Sequence, residues 1–192
     1  MMPARILFGL ALCTLGLPQA QAQRWVRAKV AEPVLEELMG GCSMRCTFTW
    51  TVEANEAGKR SAVKTLNDEK ATTAWIAEVP GIPEPVTFRL AFPKRIPAEM
   101  EGQVPFYGFD LINGHWSEEL WPQYGRIKKA RILYNDRVLG HYLFGDSRRW
   151  QRLTLPDIMV RSGDVITVEV LEIYPGQNGR LAVSEFVLQG AH

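Results

Sequence analysis

From residue 47 to residue 190 the chain is built on a two-residue period. In CTFTWTVEA, Phe48, Trp50 and Val52 alternate with threonines; in PVTFRLAFP, Val86, Phe88, Leu90 and Phe92 alternate with Thr87, Arg89 and Ala91. Successive side chains of a strand point to opposite faces, so this pattern makes half-buried strands and is wrong for an amphipathic helix. FYGFDLING, KKARILYND, RVLGHYLFGD, WQRLTLP, DVITVEVLEIYP and LAVSEFVLQG follow, most of them bounded by Gly, Pro, Asn or Asp. Asn135-Asp136 predicts a tight hairpin. In DVITVEVLEIYP the phase slips between Glu169 and Glu172, which calls for a bulge or for burial of both faces. Strands do not alternate with helices. About eight antiparallel strands joined by turns predict an all-β sandwich or jelly roll.

The N-terminus follows other rules. MMPAR carries one positive charge, residues 6–17 (ILFGLALCTLGL) are apolar, and Ala20-Gln21-Ala22 fits a cleavage site. Residues 1–22 are expected to be a secretory signal peptide, cut after Ala22. The run is too short to span a bilayer, and no later apolar run is long enough for a transmembrane segment in the mature chain. The cysteine of LALC suits a lipoprotein poorly, because Leu12 stands where a small residue belongs. The expectation is an exported protein, periplasmic or secreted. Cleavage removes Arg5 and leaves basic and acidic residues in balance, so no global field attracts nucleic acid. Residues 23–46 form a separate N-terminal segment. Within it AEPVLEELMGG predicts a short helix, with Pro33 in its first turn and Gly40-Gly41 as its stop. Cys42 and Cys46 are the cysteines left after processing. In an exported chain they are expected to form a disulfide, with a C-x3-C zinc pair as the alternative.

Catalytic motifs are missing. There is no phosphate loop, no G-x-S-x-G elbow and no H-E-x-x-H. The reading is therefore not an enzyme. The chemistry that remains lies in the long loop NGHWSEELWPQYG, residues 113–125. Trp116, Trp121 and Tyr124 offer flat faces for the apolar side of a sugar. Asn113, His115, Glu118, Glu119 and Gln123 offer hydrogen bonds to its hydroxyls. The bland reading folds one or two of these rings back into the core. The basic run GRIKKAR (Arg126, Lys128, Lys129, Arg131) reads as a solvated outer sheet face. The partner expected is a glycan or cell-surface saccharide; the alternative is an envelope protein docked on the same scaffold.

Taken in order, LNDEKATTAW, PVTFRLAFP, YGFDLING, RIKKARILYND, WQRLTLP, VITVEVLEIYPG and LAVSEFVLQG resemble a known family. It is the discoidin-like (coagulation-factor type C) domain of the galactose-binding superfamily, in the form found beside bacterial NAD glycohydrolases. The resemblance spans residues 47–190. It implies an antiparallel jelly-roll β-sandwich, galactose-binding-domain-like, that is noncatalytic and binds glycans through loops at one end. It does not imply NAD hydrolysis.

In many relatives the first turn holds a structural calcium. Carried onto this chain, the resemblance implies Asp68, Thr73 and Glu185 as ligands. Two positions depart: Glu69 stands where relatives commonly have Gly, and Lys70 where they have Asp or Asn. Calcium takes six to eight oxygens, and an ammonium repels it. Lys70 is therefore expected to replace the ion by pairing with Asp68 or Glu185; the alternative is that Lys70 points to water and the turn is held by backbone bonds alone. Apart from that doubtful calcium, no cofactor is expected. Trp75 is expected in the core.

Overall fold

The computed structural model describes residues 24–31, 50–56, 59–68, 70–78, 86–92 and 103–190. The expected signal peptide, the helix beyond Ala31, and the Cys42 and Cys46 pair lie outside these residues.

The period-two segments close into two facing sheets. The strands are β1 (Trp25–Arg27), β2 (Lys29–Val30), β3 (Thr51–Glu56), β4 (Lys59–Ala62), β5 (Trp75–Glu78), β6 (Thr87–Ala91), β7 (Gln103–Asn113), β8 (Arg126–Tyr134), β9 (Arg137–Leu143), β10 (Trp150–Arg161), β11 (Val165–Tyr174) and β12 (Arg180–Gly190). Seven form one sheet in the order β1-β9-β8-β11-β6-β3-β4, and five form the other in the order β2-β10-β7-β12-β5. Every strand pair is antiparallel except β1 with β9. The result is an antiparallel β-sandwich.

The alternation places the core as expected. Trp50, Val52, Ala54, Val86, Phe88, Leu90 and Phe92 all face inward and are buried. A chain of rings ties the sheets together. Trp75 meets Phe88 edge-on at 5.0 Å, Phe88 meets Phe186 at 5.4 Å, and Phe186 meets Phe109 at 5.4 Å. Phe88 belongs to the larger sheet and the other three to the smaller, so each contact to Phe88 spans the interior. Trp75 is thus a core residue. Such aromatic pairs add about 0.5–1.5 kcal/mol each beyond their burial.

Local irregularities are placed by chemistry. Asn135 and Asp136 adopt φ 44° and 67°, joining Tyr134 and Arg137 in a two-residue hairpin. The phase slip in β11 is a bulge: its register against β8 shifts on either side of Glu172. Both Lys128 and Lys129 reach the Glu172 carboxylate, which an unbroken alternation forbids. Their hydrogen bonds hold the Glu172 carboxyl below its ordinary range. Arg131 forms a double hydrogen bond with Glu169 at 2.7 and 2.8 Å. The expected solvated face is therefore an array of paired charges.

Candidate functional site

The loop at residues 113–125 begins and ends on β12. Gly114 bridges Val183, and Gly125 bridges Leu181, two residues earlier on the same strand. Gly125 N–H donates to Arg180 O at 2.6 Å, Ala182 N–H donates to Gly125 O at 3.1 Å, and Ser184 Oγ donates to Gly114 O at 2.9 Å. A second loop supports the first. Asn178 N–H donates to Gln123 O at 3.0 Å, and a Cβ added to Gly176 would stand 2.2 Å from the Tyr124 carbonyl carbon. That approach admits only glycine. A single helical turn, Trp121–Gln123, with Pro122 in its first positions, folds the loop back.

The residues picked out from the sequence take different places. Asn113 ends β7 at 1% exposure. Its amide donates to Ile127 O and accepts from Ile127 N–H, both at 2.7 Å, so it splices β7 to β8. His115 and Tyr124 stack at 5.8 Å between centroids and 21° between planes. Ser117 N–H donates to His115 Nδ1 at 3.1 Å, which leaves the neutral ring's proton on Nε2. Trp116 packs against a small cluster of Ala31, Ile112, Trp150 and Val187. Glu118 is exposed and pairs with Arg148 at 3.2 Å. Arg148 also donates to Trp116 O at 3.1 Å and lies 6.0 Å from the Trp116 ring. Trp121 is half-buried. The Arg126 guanidinium covers one side of it at 4.3 Å, and a Cβ on Gly114 would stand 3.2 Å from its Nε1. Trp121 is therefore a wall of the loop; His115, Trp116 and Tyr124 are half-buried like it, and Glu118 is exposed.

Burial pushes the His115 imidazole below the ordinary histidine value of 6.5. The unfolded chain therefore binds more protons than the folded chain between 6.5 and the lowered folded value. Stability is expected to fall as the pH drops through that window and then to level off. His115→Gln should flatten this step. Thermal melts of both proteins across mildly acidic pH check it, and identical profiles would refute it.

Arg126 escaped the sequence reading, which left it among solvated cations. It is 6% exposed. Nε and Nη2 donate to Asp146 at 2.7–2.9 Å, and Nη1 donates to Tyr124 O at 2.9 Å and Pro175 O at 3.1 Å. The flanking Trp121 ring and these oxygens replace the water a buried guanidinium loses. The one sequence signal was its position directly after Gly125, at the joint between loop and strand. Asp146 and Arg148 were also missed as parts of the site. They lie on the loop after β9: Asp146 accepts from Arg126 at the start of β8, and Arg148 reaches back to Trp116 O and Glu118 on the aromatic loop.

The turn from Asp68 to Thr73 is closed by its own hydrogen bonds. Thr73 Oγ1 donates to the Asp68 carboxylate at 3.0 Å, and Lys70 N–H donates to Asp68 Oδ1 at 3.0 Å. Lys70 is exposed, and its ammonium pairs with neither Asp68 nor Glu185. This corrects the expected replacement: the backbone of residue 70, not its side chain, engages Asp68. Glu185 is buried in β12, in register with Ile112. No group of three or more His, Cys, Asp or Glu side chains able to hold a metal occurs among the described residues.

No helix among the described residues is long and apolar enough to cross a membrane. No curated protein matches the chain in sequence. Solved structures share the fold. A CBM32 module of Clostridium perfringens (CpGH89CBM32-5), solved with GalNAc-β-1,3-galactose, aligns with TM-score 0.51 and 16% identity over 73% of this chain and 94% of that one. CBM32-3 from a family 31 glycoside hydrolase of the same organism aligns with TM-score 0.52 and 12% identity over 73% and 91%. The CBM32-1, CBM32-2 and M60 catalytic domains of C. perfringens ZmpB align with TM-score 0.59 and 7% identity over 91% of this chain, which spans only 17% of that structure. At these identities the likeness is one of fold. The family profile of the NAD glycohydrolase translocation F5/8 type C domain matches residues 42–189, most of the sandwich and the whole aromatic loop, and the chain belongs to that family.

Proposed function

We propose that the chain is an exported, noncatalytic glycan-binding module whose site is the outer part of the loop at residues 113–125. The observation that carries this reading is the stacked His115–Tyr124 pair beside the exposed Glu118–Arg148 pair, on a loop fastened at both ends to β12. Flat rings receive the apolar face of a sugar, and a carboxylate, a guanidinium and an imidazole N–H exchange hydrogen bonds with hydroxyls. The frame fixes these groups before binding, which lowers the ordering cost. The CBM32 module solved with GalNAc-β-1,3-galactose shows the fold serving that use in another protein. The leader-like residues 1–22 support export.

Glycan-array binding by the wild type should be lost in Tyr124→Ala and weakened about tenfold or more in Glu118→Gln, with melting temperatures preserved. Absence of wild-type binding, or equal binding by all three proteins, would refute the reading. The alternative partner, an envelope protein, calls for one contiguous apolar patch. The exposed large hydrophobics, Val26, Val30, Tyr107, Val138, Met159 and Leu171, are divided between the two sheets. We further propose that the Asp68–Thr73 turn holds without calcium. Calorimetric titration should show no binding, and micromolar binding abolished by Asp68→Ala would overturn this.

A further inference from the structure

The first two strands change sheets across a single residue. β1 runs beside β9 and β2 beside β10, with Ala28 between them. The crossing is pinned on both sides: Ala28 N–H donates to Leu143 O and Ala31 N–H to Trp150 O, each at 2.8 Å. At this corner a cleft of about 110 Å³ opens, and Arg27, Lys29, Arg152, Tyr142 and Thr154 are among its walls. Its volume is enough for several waters or one small oxyanion.

The charge around the cleft is one-sided. Arg27 and Lys29 flank the buried Ala28, and both line the cleft. Both are exposed, and neither forms an ion pair with a described residue. Arg152 stands opposite Lys29 in register. Its guanidinium is held by two hydrogen bonds to the buried Asp110 carboxylate, at 2.9 and 2.8 Å. Asp110 also accepts from Gln189 Nε2 at 3.0 Å. Asp110 thus fixes the direction of Arg152 and balances one charge of the three. Among the described residues two positive charges remain uncompensated in a concave site, an arrangement that concentrates anions.

We propose that this cleft binds an oxyanion group (sulfate, phosphate or carboxylate), either free or carried by an acidic polysaccharide. Arginine forks match such oxygens in pairs, and the lysine adds a point charge. None of the residues at positions 113–125 lines the cleft, so the site is separate from the aromatic loop and does not depend on its reading.

The test uses the mature chain, dextran sulfate as probe and uncharged dextran as control, at physiological ionic strength. R27S/K29S should weaken dextran sulfate binding by about tenfold or more. R137S/R149S removes the same charge from exposed positions elsewhere and should change it little. Tyr124→Ala should leave it unchanged, so failure here is distinct from failure of the glycan loop. Inorganic sulfate or phosphate displacing the polymer from wild type, beyond a sodium chloride control, would identify the free anion as sufficient. Displacement only by sulfated oligosaccharides would assign the group to a polysaccharide. Equal weakening in both double variants, equal binding of uncharged dextran, or no binding of dextran sulfate would overturn the proposal.

Discussion

Gly108→Ala should destabilise the fold by about 4 kcal/mol, as overpacking and backbone strain act together. Gly108 adopts φ 142°, and an added Cβ would stand 1.9 Å from Leu153 O. The obstacle is main chain, so no rotamer change relieves it. The position is also structurally demanding. Gly108 faces Thr154, while Phe106 faces Ile158, so Leu155, Pro156 and Asp157 stand against Tyr107 alone. Gly108 is where the regular β7–β10 ladder stops and this bulge begins. Denaturant unfolding of the purified variant checks the effect. An unfolding free energy within about 1 kcal/mol of wild type would show that the bulge yields easily.

Arg126→Met should cost about 3 kcal/mol, most of it local to the loop. Methionine keeps the apolar stem and removes every donor. Tyr124 O, Pro175 O and the Asp146 carboxylate then lose their partner, and Trp121 loses its covering cation. The Asp146 side chain is 41% exposed, so water can replace part of that bond; Asp146→Asn should cost only about 1 kcal/mol. Arg126→Lys should rescue little, because an ammonium cannot serve the two carbonyls and the carboxylate as a planar fork does. Hydrogen exchange should show amides at 115–124 opening faster, with β11 and the core little changed. Uniform destabilisation, or none, would remove Arg126 from its role as keystone of the loop.

The long strands were legible because half-burial writes itself as alternation. Phe88, Leu90 and Phe92 are buried as the pattern required, and the slip at Glu172 is the bulge it implied. β1 and β2 were not legible. Three- and two-residue strands carry too little period to detect, and a parallel β1–β9 pair leaves no turn signal between them. The aromatic loop was found from composition, but composition does not tell a platform from a wall. Trp121 and Asn113 are of ligand-binding type, yet the first lies against Arg126 and the second is bonded to Ile127. Arg126 itself was misjudged because charge usually means solvent. What reversed that expectation was a set of backbone carbonyls from distant segments, which no local pattern contains. The same holds for the cleft at the N-terminal corner: Arg27, Lys29 and Arg152 meet through strand order alone.

The mounting of the aromatic loop has a practical consequence. Its two ends rest on Val183 and Leu181, about 7 Å apart along one strand. A segment that leaves and returns at nearly the same point can change length at small entropic cost. The positions that touch the frame are Gly114, Gly176 and Arg126, together with Trp116 on the Ile112, Trp150 and Val187 cluster and Trp121 against Arg126. Within residues 115–124, the positions other than Trp116 and Trp121 are therefore the exchangeable ones. A different ten-residue segment that keeps these two tryptophans, transplanted between the same glycines, should leave the sandwich beneath it intact; on the proposed glycan reading it would change the ligand.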